Sequence, residues 1–362
     1  MKEAAIWGVG FIAEVHAEAL KKLGIPIRTV VSRSYEKAQR FAEKWGIANA
    51  SDDPAALLDG EIACVHVCTP PALHAQEVRF LLENGENVLC EKPLCTDARQ
   101  AQALADLARE RGLVCAVNFN NRFHSACIRA REVIASPQFG RVLLVHGSYL
   151  QQFGCAPAQM GWRYDPKLAG PMHAVTEIGS HWLDLAETLC GRRIEAVSAQ
   201  FDRFFPERWV RDGKLYTQAV DGGTPVTVDS EDAAILSLRF SDGAIGSVVL
   251  SEVTPGKYNE LIVEVTGEKQ SLRWNAEEAS ILHRADCTGA MPEQFAQEDG
   301  FADSFAALAQ AVYRDIGAGA PSQTPDYPDF SAGAHSAAVC EAVWESAQRD
   351  AAWVRISEVE TQ

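Results

Sequence analysis

Within the first 122 residues, short and largely apolar runs alternate with longer stretches of helical periodicity. The runs lie at Ala4–Val9, Ile27–Val31, Ile62–Cys68, Asn87–Cys90 and Leu113–Val117. The helical stretches lie at about Ile12–Leu23, Tyr35–Trp45, Leu73–Asn84 and Asp97–Arg111. A strand that is apolar on both faces needs helices on both sides, so the pattern predicts a parallel sheet wrapped by its own crossover helices. Gly24, Gly46, Gly85 and Gly112 stand just past the four helices, where a left-handed cap favours glycine.

The turn after the first run is Gly8-Val9-Gly10-Phe11-Ile12-Ala13. This is a GxGxxA pattern in strand–turn–helix context. Gly8 permits the tight turn, Gly10 lets the backbone approach a pyrophosphate, and Ala13 lets helix and strand pack closely. The helix N-terminus at Phe11 and Ile12 offers N–H groups to an anion. Together these predict a Rossmann dinucleotide-binding domain over residues 1–122, with Gly8, Gly10, Phe11 and Ile12 at the cofactor. An acidic residue ending the second strand would bind both ribose hydroxyls and repel a 2′-phosphate. That place holds Ser32-Arg33-Ser34, with no carboxylate before Glu36. Ser32 and Arg33 suit a phosphate, so NADP is favoured slightly over NAD. Arg33 stacked on the adenine would be compatible with NAD.

Beyond Phe123 the rhythm changes. A helix at Cys127–Ala135, a strand at Val142–Gln151 and a Gly- and Pro-rich loop at Phe153–Pro171 lead into one strong helix at about Val175–Leu189. Strand-like runs follow, among them the alternating Ile235–Phe240, whose Ser241-Asp242-Gly243 is a hairpin signal. Arg208–Pro225 reads as a mobile polar excursion, and two helices close the chain. Residues 123–362 are thus expected to form an α+β substrate-binding and oligomerisation domain with an open, mostly antiparallel sheet. Its last helix can pack back on the first domain.

Bulk properties remove several function classes. The chain carries 33 basic against 49 acidic residues, a formal net charge of −16, which argues against nucleic acid or an anionic membrane as partner. No apolar run approaches the roughly 20 residues of a membrane-spanning helix, and Met1-Lys2-Glu3 opens directly on a strand pattern rather than a secretory signal. None of the ten cysteines forms a CxxC pair or falls near a histidine at metal-ligand spacing. The expectation is a soluble cytoplasmic protein with reduced thiols and no metal.

Four further motifs follow in order. Thr69-Pro70-Pro71 with His74 follows the third strand, and Glu91-Lys92-Pro93 follows the fourth. Asn118-Phe119-Asn120-Asn121-Arg122-Phe123 follows the fifth, and Glu177-Ile178-Gly179-Ser180-His181-Trp182-Leu183-Asp184 opens the strong helix of the second half. With the glycine turn, they resemble the glucose–fructose oxidoreductase / inositol dehydrogenase / MocA family over essentially the whole chain. The resemblance implies a dehydrogenase or reductase of sugars, inositols and related polyols, dimeric or tetrameric through its open sheet. It implies cofactor contacts at Thr69, Pro70, His74, Glu91, Lys92 and Asn120. Two positions depart from the family pattern: Glu177 replaces the usual Asp, and Asn118 replaces the usual small residue beside the cofactor.

The residues themselves support this chemistry. Oxidising an alcohol requires a proton acceptor at the hydroxyl and positive charge near the oxygen. His181, with an ordinary pKa of about 6.5, suits the first task, and Lys92 the second. Glu177, four residues before His181, is expected on the same helical face. Lys92, His181 and Glu177 are therefore the catalytic candidates. Trp162 and Arg163, in the preceding loop, join them as substrate-binding candidates, since aromatic faces and guanidinium groups suit sugar rings. Gln151, Tyr164, Tyr149 and His173 are weighed evenly between substrate and structural roles. Gly179 costs about 1 kcal/mol in mid-helix, which suggests a cofactor or substrate packed against it. His16, His66, His124, His146, His283 and His335 carry no constellation and read as structural or surface. Two rivals remain: a reductase of a non-sugar substrate such as a dihydrodiol or tetrapyrrole, and a non-catalytic dinucleotide or sugar sensor.

Overall fold

The computed structural model describes residues 3–155, 157–159, 161–295 and 300–357. Met1 and Lys2, at the run-in to the first strand, lie outside them. The chain forms two compact units, one reaching to Phe123 and including Gly300–Ala337, the other made of the remainder.

The first unit is built on six parallel strands: β1 (Glu3–Trp7), β2 (Ile27–Val31), β3 (Asn49–Ser51), β4 (Ile62–Val67), β5 (Val88–Cys90) and β6 (Cys115–Val117), in the order β3-β2-β1-β4-β5-β6. Every residue of β4, β5 and β6 is buried, as the unbroken apolar runs require. The helices α1 (Phe11–Lys22), α2 (Tyr35–Trp45), α3 (Pro71–Glu83) and α4 (Ala98–Arg111) begin and end where the sequence marks them. Ser34 caps α2 by accepting from the Lys37 N–H at 3.3 Å, and Asp97 caps α4 through the Gln100 N–H at 2.8 Å. Gly46 and Gly112 close these helices in the left-handed conformation.

Residues 123–362 do not form one contiguous domain. The helix Phe301–Ala318 belongs to the first unit, because its apolar face fits that unit's core. Leu308, Ala309, Val312 and Ile316 pack on Ala63, Cys64, Leu89 and Ala116, and Phe305 and Ala306 pack on Val15 and Ala19.

The second unit centres on a ten-stranded, mostly antiparallel sheet. Its one parallel pair joins β7 (Val142–Leu150) to the strand Ile245–Ser251. Ala233–Phe240 and Ile245–Ser251 pair across the Ser241-Asp242-Gly243 turn, with Gly243 at φ 88°. The helix Ser180–Cys190 covers the sheet. Trp182 is fully buried, and its indole N–H donates to the Ile262 carbonyl at 2.8 Å. The opposite face leaves Ile235, Ile245 and Val249 exposed.

Arg208–Pro225 is ordered, contrary to the reading of a mobile excursion. Glu207–Arg211, Lys214–Tyr216 and Thr224–Thr227 join Ala158–Gln159 in a small four-stranded sheet. Asp212 and Gly213 make its tight turn with positive φ at both positions. Buried Arg208 locks it to the body of the unit by donating to Asp232 and, at 2.8 Å, to the Gly154 carbonyl.

Candidate active site

The dinucleotide cradle begins at Gly8. It adopts φ 112°, and a Cβ there would lie 2.7 Å from the Cys68 carbonyl oxygen, so only glycine fits between the ends of β1 and β4. Gly10 is the opposite case. A Cβ there would meet nothing within 4 Å, and no side chain caps the N-terminus of α1. The N–H end of a helix therefore faces open space, which fits a pyrophosphate. Ala13 is buried against the strands, Ile12 packs on the core, and Phe11 stands 76% exposed. At the end of β2, Ser32 is half-buried and Arg33 exposed. Ser34 is occupied as the α2 cap and donates to Glu36 at 2.8 Å. That bond holds the Glu36 carboxyl below its ordinary pKa.

The candidates at the ends of β4, β5 and β6 divide by what their atoms already touch. Thr69 donates to Glu77, whose carboxyl burial lifts to about 7. Pro70 precedes α3 in extended conformation. His74 is fully buried, with one ring nitrogen on the Thr69 carbonyl at 2.8 Å and the other on the Pro93 carbonyl at 2.9 Å. It ties two loops together and has no polar edge left for a ligand. Asn120, also buried, donates to Ser304 at 2.7 Å and pins its turn to Phe301–Ala318. Both side chains brace the loops that carry them.

Glu91 is the centre of a network that sequence reading missed. Its Oε1 lies 2.9 Å from His16 Nε2 and accepts from Asn118 Nδ2 at 2.6 Å, while Oε2 accepts from the Lys92 N–H at 3.2 Å. His16 Nδ1 meets His66 Nδ1 at 2.8 Å, and His66 Nε2 meets the Tyr313 hydroxyl at 3.1 Å. One order of protons satisfies every nitrogen: Tyr313 donates to His66, His66 to His16, and His16 to Glu91. Burial alone would raise the Glu91 pKa. The His16 hydrogen bond, the Asn118 amide and the Lys92 charge outweigh it and hold the carboxyl below its usual value. The peptide that carries the Lys92 side chain is thus anchored to a largely buried brace. Because Asn118 turns its nitrogen to the carboxylate, its Oδ1 is buried without a hydrogen-bond partner among the described residues.

In the second unit, the predicted single helix opens differently. Val175–Gly179 form a π-helical turn, and regular α-helix starts at Ser180. The wider turn replaces the α-helical spacing assumed between Glu177 and His181, and such turns recur at functional sites. Glu177, with its side chain 11% exposed, accepts from Arg163 Nε at 2.7 Å. The Arg163 guanidinium lies 4.5 Å from the centre of the Trp162 ring. His181 is half-buried on the first turn of the α-helix. Gly179 packs against protein rather than a ligand: a Cβ would come within 2.5 Å of Leu250 Cδ1. Tyr149 and Gln151 both donate to Asn259 Oδ1, at 2.6 and 2.7 Å, and serve the structure.

Just upstream lies a second missed group. His173 Nε2 sits 2.9 Å from Glu252, and the Tyr164 ring stacks on the imidazole at 4.7 Å. Glu231 accepts from the His173 and Val175 N–H groups at 3.0 and 2.9 Å, and burial lifts its carboxyl to about 7. These partners stand 79 and 58 residues from His173, so no local motif could have shown them. No cluster among the described residues could hold a metal ion, and no helix among them is long and apolar enough to cross a membrane.

Residues 2–119 match the oxidoreductase family with an NAD-binding Rossmann fold, and residues 127–273 match the GFO/IDH/MocA C-terminal domain. The chain belongs to the GFO/IDH/MocA oxidoreductase family. Levoglucosan dehydrogenase of Pseudarthrobacter phenanthrenivorans is 30% identical over 292 residues, which are 77% of this chain and 74% of that protein. D-glucoside 3-dehydrogenase of Escherichia coli is 29% identical over 249 residues, 67% of each chain. A solved levoglucosan dehydrogenase in complex with NADH and L-sorbose aligns with a TM-score of 0.90 at 25% identity, covering 99% of this chain and 100% of that one. This member is accordingly an NAD(P)-dependent oxidoreductase.

Proposed function

We propose that the protein moves a hydride to or from a secondary hydroxyl carbon of a sugar, glycoside or polyol. The observation that carries this reading is the head of the Ser180–Cys190 helix. There a carboxylate fixed by a guanidinium (Glu177–Arg163, 2.7 Å) precedes a half-buried histidine. His181 holds and releases the hydroxyl proton. Lys92, on its braced peptide, steadies charge on the oxygen. Glu177 and Arg163 orient neighbouring hydroxyls, with Trp162 as an apolar wall. The nicotinamide ring, when bound, supplies or accepts the hydride. The dehydrogenase names of the relatives support the polyol reading over the dihydrodiol, tetrapyrrole and sensor rivals. A panel of levoglucosan, methyl glucoside and scyllo-inositol, followed by reduced-cofactor absorbance, tests it. Turnover of at least one is expected, and turnover of none, with aromatic diols active instead, would refute it.

Finer points belong to the same reading. Exposed Arg33 beside Ser32 suits a 2′-phosphate, so NADP(H) is the slightly favoured cofactor, while the anionic Glu36 nearby keeps the preference small. Arg33→Ala should raise the KM for NADP about tenfold and leave that for NAD unchanged; equal effects on both would place the guanidinium at the adenine. The exposed Ile235, Ile245 and Val249 support a homodimer or homotetramer through the open sheet face, checked by light scattering. Ten cysteines with no disulfide among the described residues, eight of them buried, suit a cytoplasmic location.

A further inference from the structure

Arg163 holds Glu177 through a side chain that is 47% exposed. An ion pair as open as this fixes its own geometry poorly, because water screens it and long side chains keep other rotamers. A second link runs beside it and is far better buried. Tyr164, the next residue of the loop, stacks its ring on the His173 imidazole at 4.7 Å, with 27° between the planes. His173 is 3% exposed, and its carbonyl accepts from the Glu177 N–H at 2.8 Å. Two neighbouring loop residues therefore meet two positions one turn apart on the segment that carries Glu177. Tyr164 is itself held: the guanidinium of Arg208, 2% exposed, lies 5.2 Å from the centre of its ring. A buried guanidinium is tolerable only when paired, and Asp232 and the Gly154 carbonyl pair this one. The loop is tied to the sheet of Arg208 a second time where Ala158–Gln159 pairs with Lys214–Tyr216.

We propose that Tyr164 is a positioning residue for the polyol: its stack on His173, backed by Arg208, sets where the Arg163–Glu177 pair presents its hydrogen-bonding groups. This rests on the polyol reading above, in which that pair orients substrate hydroxyls. The small four-stranded sheet then has a task. It carries Arg208 on one strand and the start of the loop on another, and so acts as a rigid arm for one wall of the substrate site. The effect passes through protein alone, so Tyr164 need not touch the substrate. What matters is its flat ring. An aliphatic side chain keeps some apolar contact but loses the planar stack on the imidazole and the attraction of the guanidinium for a ring face. Without that ring the pair samples more arrangements, and ordering it again on binding costs affinity rather than speed at the reacting carbon.

Tyr164→Leu and Tyr164→Phe separate this role from a merely structural one. Tyr164→Leu is expected to raise KM for the best panel polyol about tenfold, with kcat within about threefold of wild type. It should also narrow the ratio of kcat/KM between the best and second-best polyols. Tyr164→Phe, which keeps the ring, stays at wild-type values, and the KM for the cofactor is unchanged in both. A structural role behaves otherwise: part of the enzyme is inactive, so kcat falls while KM stays. That result, an unaltered Tyr164→Leu, or a Phe variant as impaired as the Leu one overturns the proposal. Amide hydrogen exchange of the full chain supplies a readout that needs no turnover. The Tyr164 and Asp165 N–H groups donate to the Gly161 and Trp162 carbonyls at 3.3 and 3.0 Å. They should exchange about tenfold faster in Tyr164→Leu and at the wild-type rate in Tyr164→Phe. Should no panel polyol turn over, the functional reading falls by itself, and this comparison alone decides whether Tyr164 holds the pair; equal exchange in all three proteins contradicts it. If Tyr164→Leu does not fold, the wild type decides: those two amides are protected at least about a hundredfold over an unstructured chain, or the loop is not held and the proposal fails.

Discussion

Each unit contains a buried histidine joined to a buried glutamate at 2.9 Å: His16–Glu91 in the first and His173–Glu252 in the second. The distances agree, but the outer nitrogens do not. His16 hands its second nitrogen to His66, and the chain of donors runs on to Tyr313. His173 Nδ1 is buried and has no hydrogen-bond partner among the described residues. The electrostatics diverge accordingly. In the first pair the visible consequence is a carboxyl held low, and in the second an imidazole held high. A closed network supports a backbone, here that of Lys92.

The sharpest way to break the comparison is to unmake the closed pair. His16→Leu leaves the Glu91 carboxylate buried without its imidazole and should destabilise the first unit by about 3–5 kcal/mol, read from denaturant midpoints. A change below about 1 kcal/mol would mean the network is not a brace.

The open pair has a pH signature instead. The folded-state pKa of His173 is about 9, above the ordinary value near 6.5. Its stabilisation is thus complete below about pH 6.5 and is lost as pH rises through about 9, amounting to about 3 kcal/mol. Glu252→Gln should abolish most of that decline. Parallel stability curves for wild type and Glu252→Gln between pH 6 and 10 would contradict the assignment.

The smallest effect is expected at Asn118. Asn118→Ala removes a hydrogen bond to Glu91 but also removes a buried oxygen that has no partner. The two terms oppose each other, so stability should change by less than about 1 kcal/mol. A loss of about 3 kcal/mol would show that Oδ1 is satisfied in solution.

The two units also differ in how much of them was legible. In the first, the strands and helices fall where periodicity and capping residues put them, because Gly8, Ser34, Gly46, Asp97 and Gly112 act on their immediate neighbours. The edge strand β3 escaped because Asn49-Ala50-Ser51 offers no apolar run to mark it. In the second, Arg208–Pro225 looked like a polar loop because its anchor is a single arginine paired with Asp232, while Asp212-Gly213 was the overlooked hairpin signal. Lys92, Glu177 and His181 could be named as candidates from motif spacing and the family resemblance. His16–His66–Glu91 and His173–Glu252–Glu231 were not, since each is assembled from elements far apart in sequence. Gly179 was misread for a similar reason: the side chain it admits, Leu250, comes from a distant strand.

The most direct test of the whole account is the turnover of His181→Ala on the best panel polyol, measured beside its affinity for the reduced cofactor. The proton-transfer role predicts kcat lower by about 10²–10⁴-fold with cofactor binding unchanged. A variant that turns over within about threefold of wild type would contradict it.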